Sequence, residues 1–94
     1  MIYKIKFTPI SNKEWKKIDS TIRVQFKKKL EKTIYAPRIP KNRLSGYSNI
    51  YKIKLRNSGF RLAYEVKDKE IVVLVLSIGK RENNKIYDDL EGRV

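Results

Sequence analysis

The sequence predicts an α+β domain with its helices on one face of an antiparallel sheet. Three observations carry that expectation. Apolar residues recur every four positions through 22–34, as on one side of a helix. Three stretches between 50 and 78 are rich in branched and aromatic residues, the mark of strands. The turns between those stretches are too short for anything but hairpins.

Residues 2–7 alternate Ile2, Lys4, Lys6 with Tyr3, Ile5, Phe7, which predicts a first strand. Ser11 and Glu14 stand at capping-box spacing, so a short helix carrying Trp15 and Ile18 is expected to start there and end near Asp19. A second helix follows from Ser20, with Asp19 or Ser20 as its N-cap. Ile22, Phe26, Leu30 and Ile34 form its apolar face, and Arg23, Lys27, Lys28, Lys29 and Lys32 fill the rest. Residues 36–46 contain Pro37, Pro40 and the run Lys41-Asn42-Arg43, a connecting loop.

Strands are then expected over 50–56, 60–66 and 71–78, joined by Asn57-Ser58-Gly59 and by Lys67-Asp68-Lys69. The last of the three is apolar at both parities and reads as the central strand. Ile86 and Leu90 give 83–90 a helical spacing, a short C-terminal helix. The whole of 1–94 reads as one domain, of a size near the lower end of what buries a core without staples.

Composition narrows the function. The chain has no Cys and no His, which removes disulfides and the thiolate or imidazole ligands of most metal sites. No apolar run approaches the length of a bilayer span, so a cytoplasmic protein with no membrane partner and no cofactor is expected. The 23 Lys and Arg against 10 Asp and Glu leave a formal charge of +13. Such a surface repels itself when folded and calls for a polyanionic partner, nucleic acid or an acidic protein. Acids are sparse before residue 65 and crowd the tail as Glu82, Asp88, Asp89 and Glu91, so the anion-binding surface is expected to avoid the C-terminal segment.

The sharpest local signal is on the 50–66 hairpin. Alternation sends Tyr51, Ile53 and Leu55 to one face and Lys52, Lys54 and Arg56 to the other. Matching Leu55 with Phe60 and Ile53 with Leu62 across the turn places Lys54 opposite Arg61. Like charges directly opposite are unfavourable in an antiparallel pair, so folding alone does not select this arrangement. A single lysine there is ordinary strand surface. Lys52, Lys54 and Arg61 together, with only Glu65 to offset them on that face, fit a bound phosphate better. Lys80, Arg81 and Tyr87 follow closely enough to close over the same face.

The chemistry open to such a face is limited. Without His there is no imidazole acid–base pair, and without clustered carboxylates a two-metal phosphodiesterase is disfavoured. Arginines clamp a phosphate and stabilise the charge of a pentavalent transition state. A lysine amine flanked by cations has its charged form disfavoured, which turns it towards a general base. RNA brings its own nucleophile, the 2′-hydroxyl.

The residues Lys13-Glu14-Trp15, Lys27-Lys28-Lys29-Leu30, 51–56 (YKIKLR), 58–62 (SGFRL) and 77–82 (SIGKRE) carry a resemblance. The sequence resembles the RelE toxins of the RelBE toxin–antitoxin family almost end to end. The resemblance implies a microbial-ribonuclease-like fold and metal-free cleavage of mRNA in the ribosomal A site, leaving a 2′,3′-cyclic phosphate. It implies Lys54 as general base, Arg61 on the phosphorane with Lys52 in support, Arg81 at the leaving 5′-oxygen, and Tyr87 against a base. It also implies an acidic RelB-like antitoxin, with operator DNA bound only through that antitoxin. Arg23, Lys27, Lys28, Lys32, Arg43, Arg56 and Lys80 are the candidate contacts to RNA and the 70S ribosome. Two departures stand out: Ser45 where an arginine precedes the glycine, and Phe60 in place of a tyrosine. A gyrase inhibitor of the ParE kind, sharing the fold class without these residues, is one rival; a non-enzymatic RNA-binding module is another.

Overall fold

Short turns make neighbours in sequence neighbours in space, and from residue 50 to residue 80 the chain obeys that rule. The computed structural model describes residues 2–80. Strand β1 spans Lys4–Phe7, helix α1 Pro9–Lys17, helix α2 Ser20–Thr33, a single 3₁₀ turn Pro40–Asn42, and strands β2, β3 and β4 Ile50–Leu55, Phe60–Lys67 and Val72–Lys80. The expected C-terminal helix lies outside the described residues. β2, β3 and β4 form an antiparallel meander, and β1 joins it parallel to β4, giving the order β1-β4-β3-β2. The central position expected for the last strand is therefore observed. The helix pair carries the chain from one edge of the sheet to the other, with α1 against β4 and α2 against β2.

The start of α1 differs from the capping-box expectation. Thr8 is the N-cap, its side chain accepting from Ser11 N at 3.0 Å, and Pro9 follows inside the first turn, where its missing N–H costs nothing. Ser11 and Glu14 serve the sheet instead. β1 stops opposite Val75, and beyond it Ser11 Oγ donates to Val75 O at 2.7 Å while Glu14 Oε1 accepts from Ile78 N at 3.2 Å. Two polar side chains of α1 thus satisfy backbone groups of β4 that a longer β1 would have paired.

The helices cover one face of the sheet. Phe26 and Leu30 of α2 interlock with Tyr51, Ile53, Leu55, Leu62, Tyr64, Val73, Val75 and Ile78, and Trp15 packs tilted on Phe7 with ring centroids 5.2 Å apart. Phe26, Leu62, Tyr64, Val73 and Val75 are fully buried. A second, smaller cluster lies on the opposite face, where Leu44 and Tyr47 fold over Ile50, Ala63 and Leu76.

Alternation along β4 breaks once. Ala63 pairs with Ser77 but Tyr64 pairs with Val75, so Leu76 is the extra residue of a β-bulge. β4 also begins at Val72 rather than residue 71, because Ile71 has φ +56° in the turn. That conformation is strained for a β-branched residue.

Candidate active site

The hairpin register is the one the alternation requires: Leu55 pairs with Phe60, Lys54 with Arg61, Ile53 with Leu62 and Lys52 with Ala63. Gly59, at φ +75°, closes the turn and donates its N–H to Leu55 O at 2.9 Å. Lys52, Lys54 and Arg61 therefore share the face opposite α1 and α2. Lys54 is exposed, and Lys52 and Arg61 are half-buried. Arg61 is flanked by Lys54 on one strand and by Gly79, which has no side chain, on the other.

Among the described residues that face is divided in two. Leu44 and Tyr47 cap one end, while the hairpin end carries the cations. The capping loop is held by Arg38. Its guanidinium donates to Asp68 at 2.5 and 3.1 Å, to Asn49 Oδ1 at 2.9 Å and to the Tyr51 hydroxyl at 3.3 Å. Tyr3 donates to the other Asp68 oxygen at 2.7 Å, and the buried Tyr64 hydroxyl donates to Pro37 O at 2.7 Å. The hydrogen bonds from Arg38, and then from Tyr3, hold the Asp68 carboxyl below its ordinary range; the bond to Asp68 raises the Tyr3 phenol. Burial raises the Tyr64 phenol, which stacks on Tyr51 with centroids 5.7 Å apart.

β2 is an edge strand, and such a strand leaves backbone polar groups without partners on its outer side. Leu44 N donates to Ile50 O at 2.9 Å, and Lys29 Nζ of α2 reaches across to Lys54 O at 3.1 Å. Between α2, the 3₁₀ turn and β2 runs a groove of about 470 Å³, lined by Lys29, Lys32, Lys41, Lys52, Lys54 and Arg56 with Thr33, Ile39, Asn42 and Ile53. It shares Lys54 and Arg56 with a hollow at the hairpin end that reaches Arg61. Lys28 joins Lys29, Lys32 and Arg56 around an adjoining hollow.

The other candidate contacts are sorted by the same geometry. Arg23 donates to Trp15 O, Lys16 O and Ile18 O, at 3.4, 3.2 and 3.1 Å, and so caps the C-terminus of α1; it holds the helix pair together rather than facing outward. Arg43 folds onto its own loop, donating to Tyr47 O at 2.6 Å. Lys80 is not on the Lys54–Arg61 face. It pairs with Phe60, which the alternation puts on the helix side, and its Nζ lies 5.7 Å from the Phe60 ring centroid. Lys27 is exposed on α2 away from the groove lining. Arg81 and Tyr87 lie outside the described residues. The groove brings in Lys29 and Lys41, which the sequence did not single out. For Lys29 a signal existed: it lies three residues before Lys32, flanking the Phe26–Leu30 stripe, where lysines reach past a helix to the sheet edge.

The family model of the ParE toxin of the type II toxin–antitoxin system, parDE, matches residues 5–85. The mRNA interferase toxin RelE of Escherichia coli K12 is 47% identical over 94 residues, covering 100% of this chain and 99% of that protein. The chain belongs to the RelE family of toxins. Solved RelE structures agree with that membership. A mutant of the E. coli RelE toxin in the free state matches with a TM-score of 0.92 at 46% identity, over 100% of this chain and 99% of that one. The toxin in the intact E. coli RelBE toxin–antitoxin complex matches with a TM-score of 0.82 at 50% identity, over 85% of this chain and 98% of that one. The family model carries the ParE name, and the full-length identity with RelE places the chain on the RelE side of the shared fold.

Proposed function

We propose that this chain is the toxin of a type II toxin–antitoxin pair, an endoribonuclease that cuts mRNA in the ribosomal A site and so inhibits translation. The observation that carries the reading is the pairing of Lys54 with Arg61 beside Lys52 on the sheet face opposite α1 and α2, in a chain 47% identical to an mRNA interferase. Lys54 takes the proton of the 2′-hydroxyl as general base. The 2′-oxygen attacks phosphorus, Arg61 and Lys52 stabilise the added charge on the phosphorane, and the bond to the 5′-oxygen breaks. Arg81 delivers the proton to that oxygen, directly or through a water, and Tyr87 stacks on a base. The products are a 2′,3′-cyclic phosphate and a free 5′-hydroxyl.

No step requires a metal or cofactor. The partners are mRNA and rRNA of the 70S ribosome and an acidic RelB-like antitoxin, with operator DNA met only through the antitoxin, all in the cytoplasm. Among the described residues no helix is long and apolar enough to cross a membrane.

The test is single-turnover cleavage of mRNA on programmed ribosomes. Lys54→Met keeps the aliphatic stem and is expected to lower the rate by about 100-fold or more, the loss typical of a positioned proton-transfer group. Near-normal cleavage by the variant removes Lys54 from the chemistry. Equal cutting of naked and ribosome-bound RNA by the wild type overturns ribosome dependence, and gyrase inhibition without cutting moves the chain to the ParE reading.

A further inference from the structure

We infer that the groove between α2, the 3₁₀ turn and β2 is a second phosphate site, which holds the substrate strand beside its scissile phosphate. The inference rests on the ribonuclease reading and extends it to a part of the molecule where no bond is broken. Three observations carry it.

The first is charge. Among the described residues six cations line the groove, Lys29 and Lys32 from α2, Lys41 from the 3₁₀ turn, Lys52 and Lys54 from β2 and Arg56 just beyond it, and no carboxylate does. Among the described residues the ion pairs Arg38–Asp68 and Lys67–Glu70 lie elsewhere and draw on none of Lys29, Lys32, Lys41, Lys52 and Arg56. The acid of α2, Glu31, belongs to the next hollow along, with Lys28, Ile34 and Tyr35, and Lys32 borders both that hollow and the groove. Cations brought together from distant parts of a chain repel one another, and a polyanion passing between them offsets that cost.

The second is continuity. Lys52 and Lys54 belong both to this groove and to the face where Arg61 stands, and the hollow at the hairpin end joins the two through Lys54 and Arg56. A strand whose scissile phosphate lies at Lys54 and Arg61 meets the groove at its next phosphate. A single-stranded polyanion is thus the occupant the shape accepts, rather than an isolated ion.

The third is anchoring. Lys29 places one N–H on the carbonyl of Lys54 at 3.1 Å, fixing its ammonium at the sheet edge and leaving two further donors for a phosphate oxygen. Lys32 and Lys41 line the groove from two different elements, α2 and the 3₁₀ turn, so a phosphate held there meets cations from both.

The test measures binding without turnover. Single-stranded oligonucleotides with 2′-O-methyl groups, which lack the nucleophile, are titrated with the full-length protein by fluorescence anisotropy at several salt concentrations. A dinucleotide carries one phosphate and a hexanucleotide carries several. In K32Q/K41Q the slope of log affinity against log salt for the hexanucleotide is expected to fall by about 0.7 for each phosphate that the variant no longer neutralises. Binding of the dinucleotide is expected to stay at the wild-type value, and K32R/K41R is expected to restore the hexanucleotide slope. An unchanged slope in K32Q/K41Q overturns the second site. So does an equal loss for both lengths, which would mean a general field rather than a site, and so does weakened binding to an acidic antitoxin peptide with unchanged RNA binding. The two readings fail separately. Wild-type slopes in K32Q/K41Q with cleavage lost in Lys54→Met leave the ribonuclease standing without the groove, and normal cleavage by Lys54→Met with a reduced slope leaves the groove without the proposed chemistry.

Discussion

The two faces of the sheet are written in one alternating code, and the code ends differently on each. Towards the helices, Tyr51, Ile53 and Leu55 meet Phe26 and Leu30 and close into a continuous apolar core. On the other face the same strands present Lys52, Lys54 and Arg61, and among the described residues apolar cover comes from Leu44 and Tyr47 at the far end. Arginines make the contrast sharp. Arg38 is set against a carboxylate, Asp68, and ties a loop down; Arg61 is set opposite a lysine. Burial of apolar surface drives the first face together. On the second, cross-strand repulsion is tolerated, as conflicts with folding are where a surface serves binding or chemistry.

The largest effect should separate the faces most cleanly. Phe26→Ala removes a fully buried ring from the helix-side core and is expected to cost about 3–5 kcal/mol of stability in urea unfolding. Residual folded protein should still bind the hexanucleotide with the wild-type salt slope, because no groove residue has changed. A stability loss below about 1 kcal/mol would show that the core closes without the ring.

Gly59→Ala acts on both faces at once. A Cβ there would meet nothing within 4 Å, so space is not the obstacle, but φ is +75°. Holding an alanine in the left-handed region is expected to cost about 1–2 kcal/mol. The turn sets the register of Leu55–Phe60 and of Lys54–Arg61 together, so ribosomal cleavage should fall with it. A variant as stable as wild type would mean that the turn relaxes to negative φ and that the register is fixed elsewhere.

The smallest effect belongs to the clasp at Asp68. Its carboxyl is held low by Arg38 and Tyr3 in the folded chain, so the folded state binds its proton less readily than the unfolded one. The stabilisation is present above the ordinary carboxylate pKa and is lost as pH falls through the lowered one. Both partners are largely exposed, so the effect should be small and salt-sensitive. Asp68→Asn should lower the melting temperature slightly at neutral pH and not at all in strong acid. An equal loss at both pH values would assign Asp68 a packing role instead.

Much of this was legible in the residues because it depends on local rules. The Lys54–Arg61 pairing follows from alternation and a short turn, and both act within a dozen positions. What escaped depends on partners remote in sequence. Ser11 and Glu14 have the spacing of a capping box, but β1 ends early and β4, some sixty residues on, claims their oxygens. Leu76 cannot be recognised as a bulge from its own neighbours, since two parities are equally apolar there. Once β4 is paired, Lys80 falls on the Phe60 side rather than beside Lys54. Lys29 and Lys41 are unremarkable apart; only the crossing of α2 over the edge of β2 brings them together. Arg81 and Tyr87 rest on the family resemblance.

The strand order has a consequence for how the molecule comes into being. β1 is made first, yet its partner in the sheet is β4, the last strand described, with residues 4–7 lying beside 72–75. A chain leaving the ribosome can fold its helices and then the β2–β3 hairpin, because those contacts are local, but β1 has no sheet to join until β4 has emerged. Lys54 can therefore meet Arg61 early, while the core beneath them is completed only when the last strand slides between the first and the third. Synthesis itself delays the finished toxin: a truncated product ending before β4 would carry the basic hairpin without the scaffold that holds it.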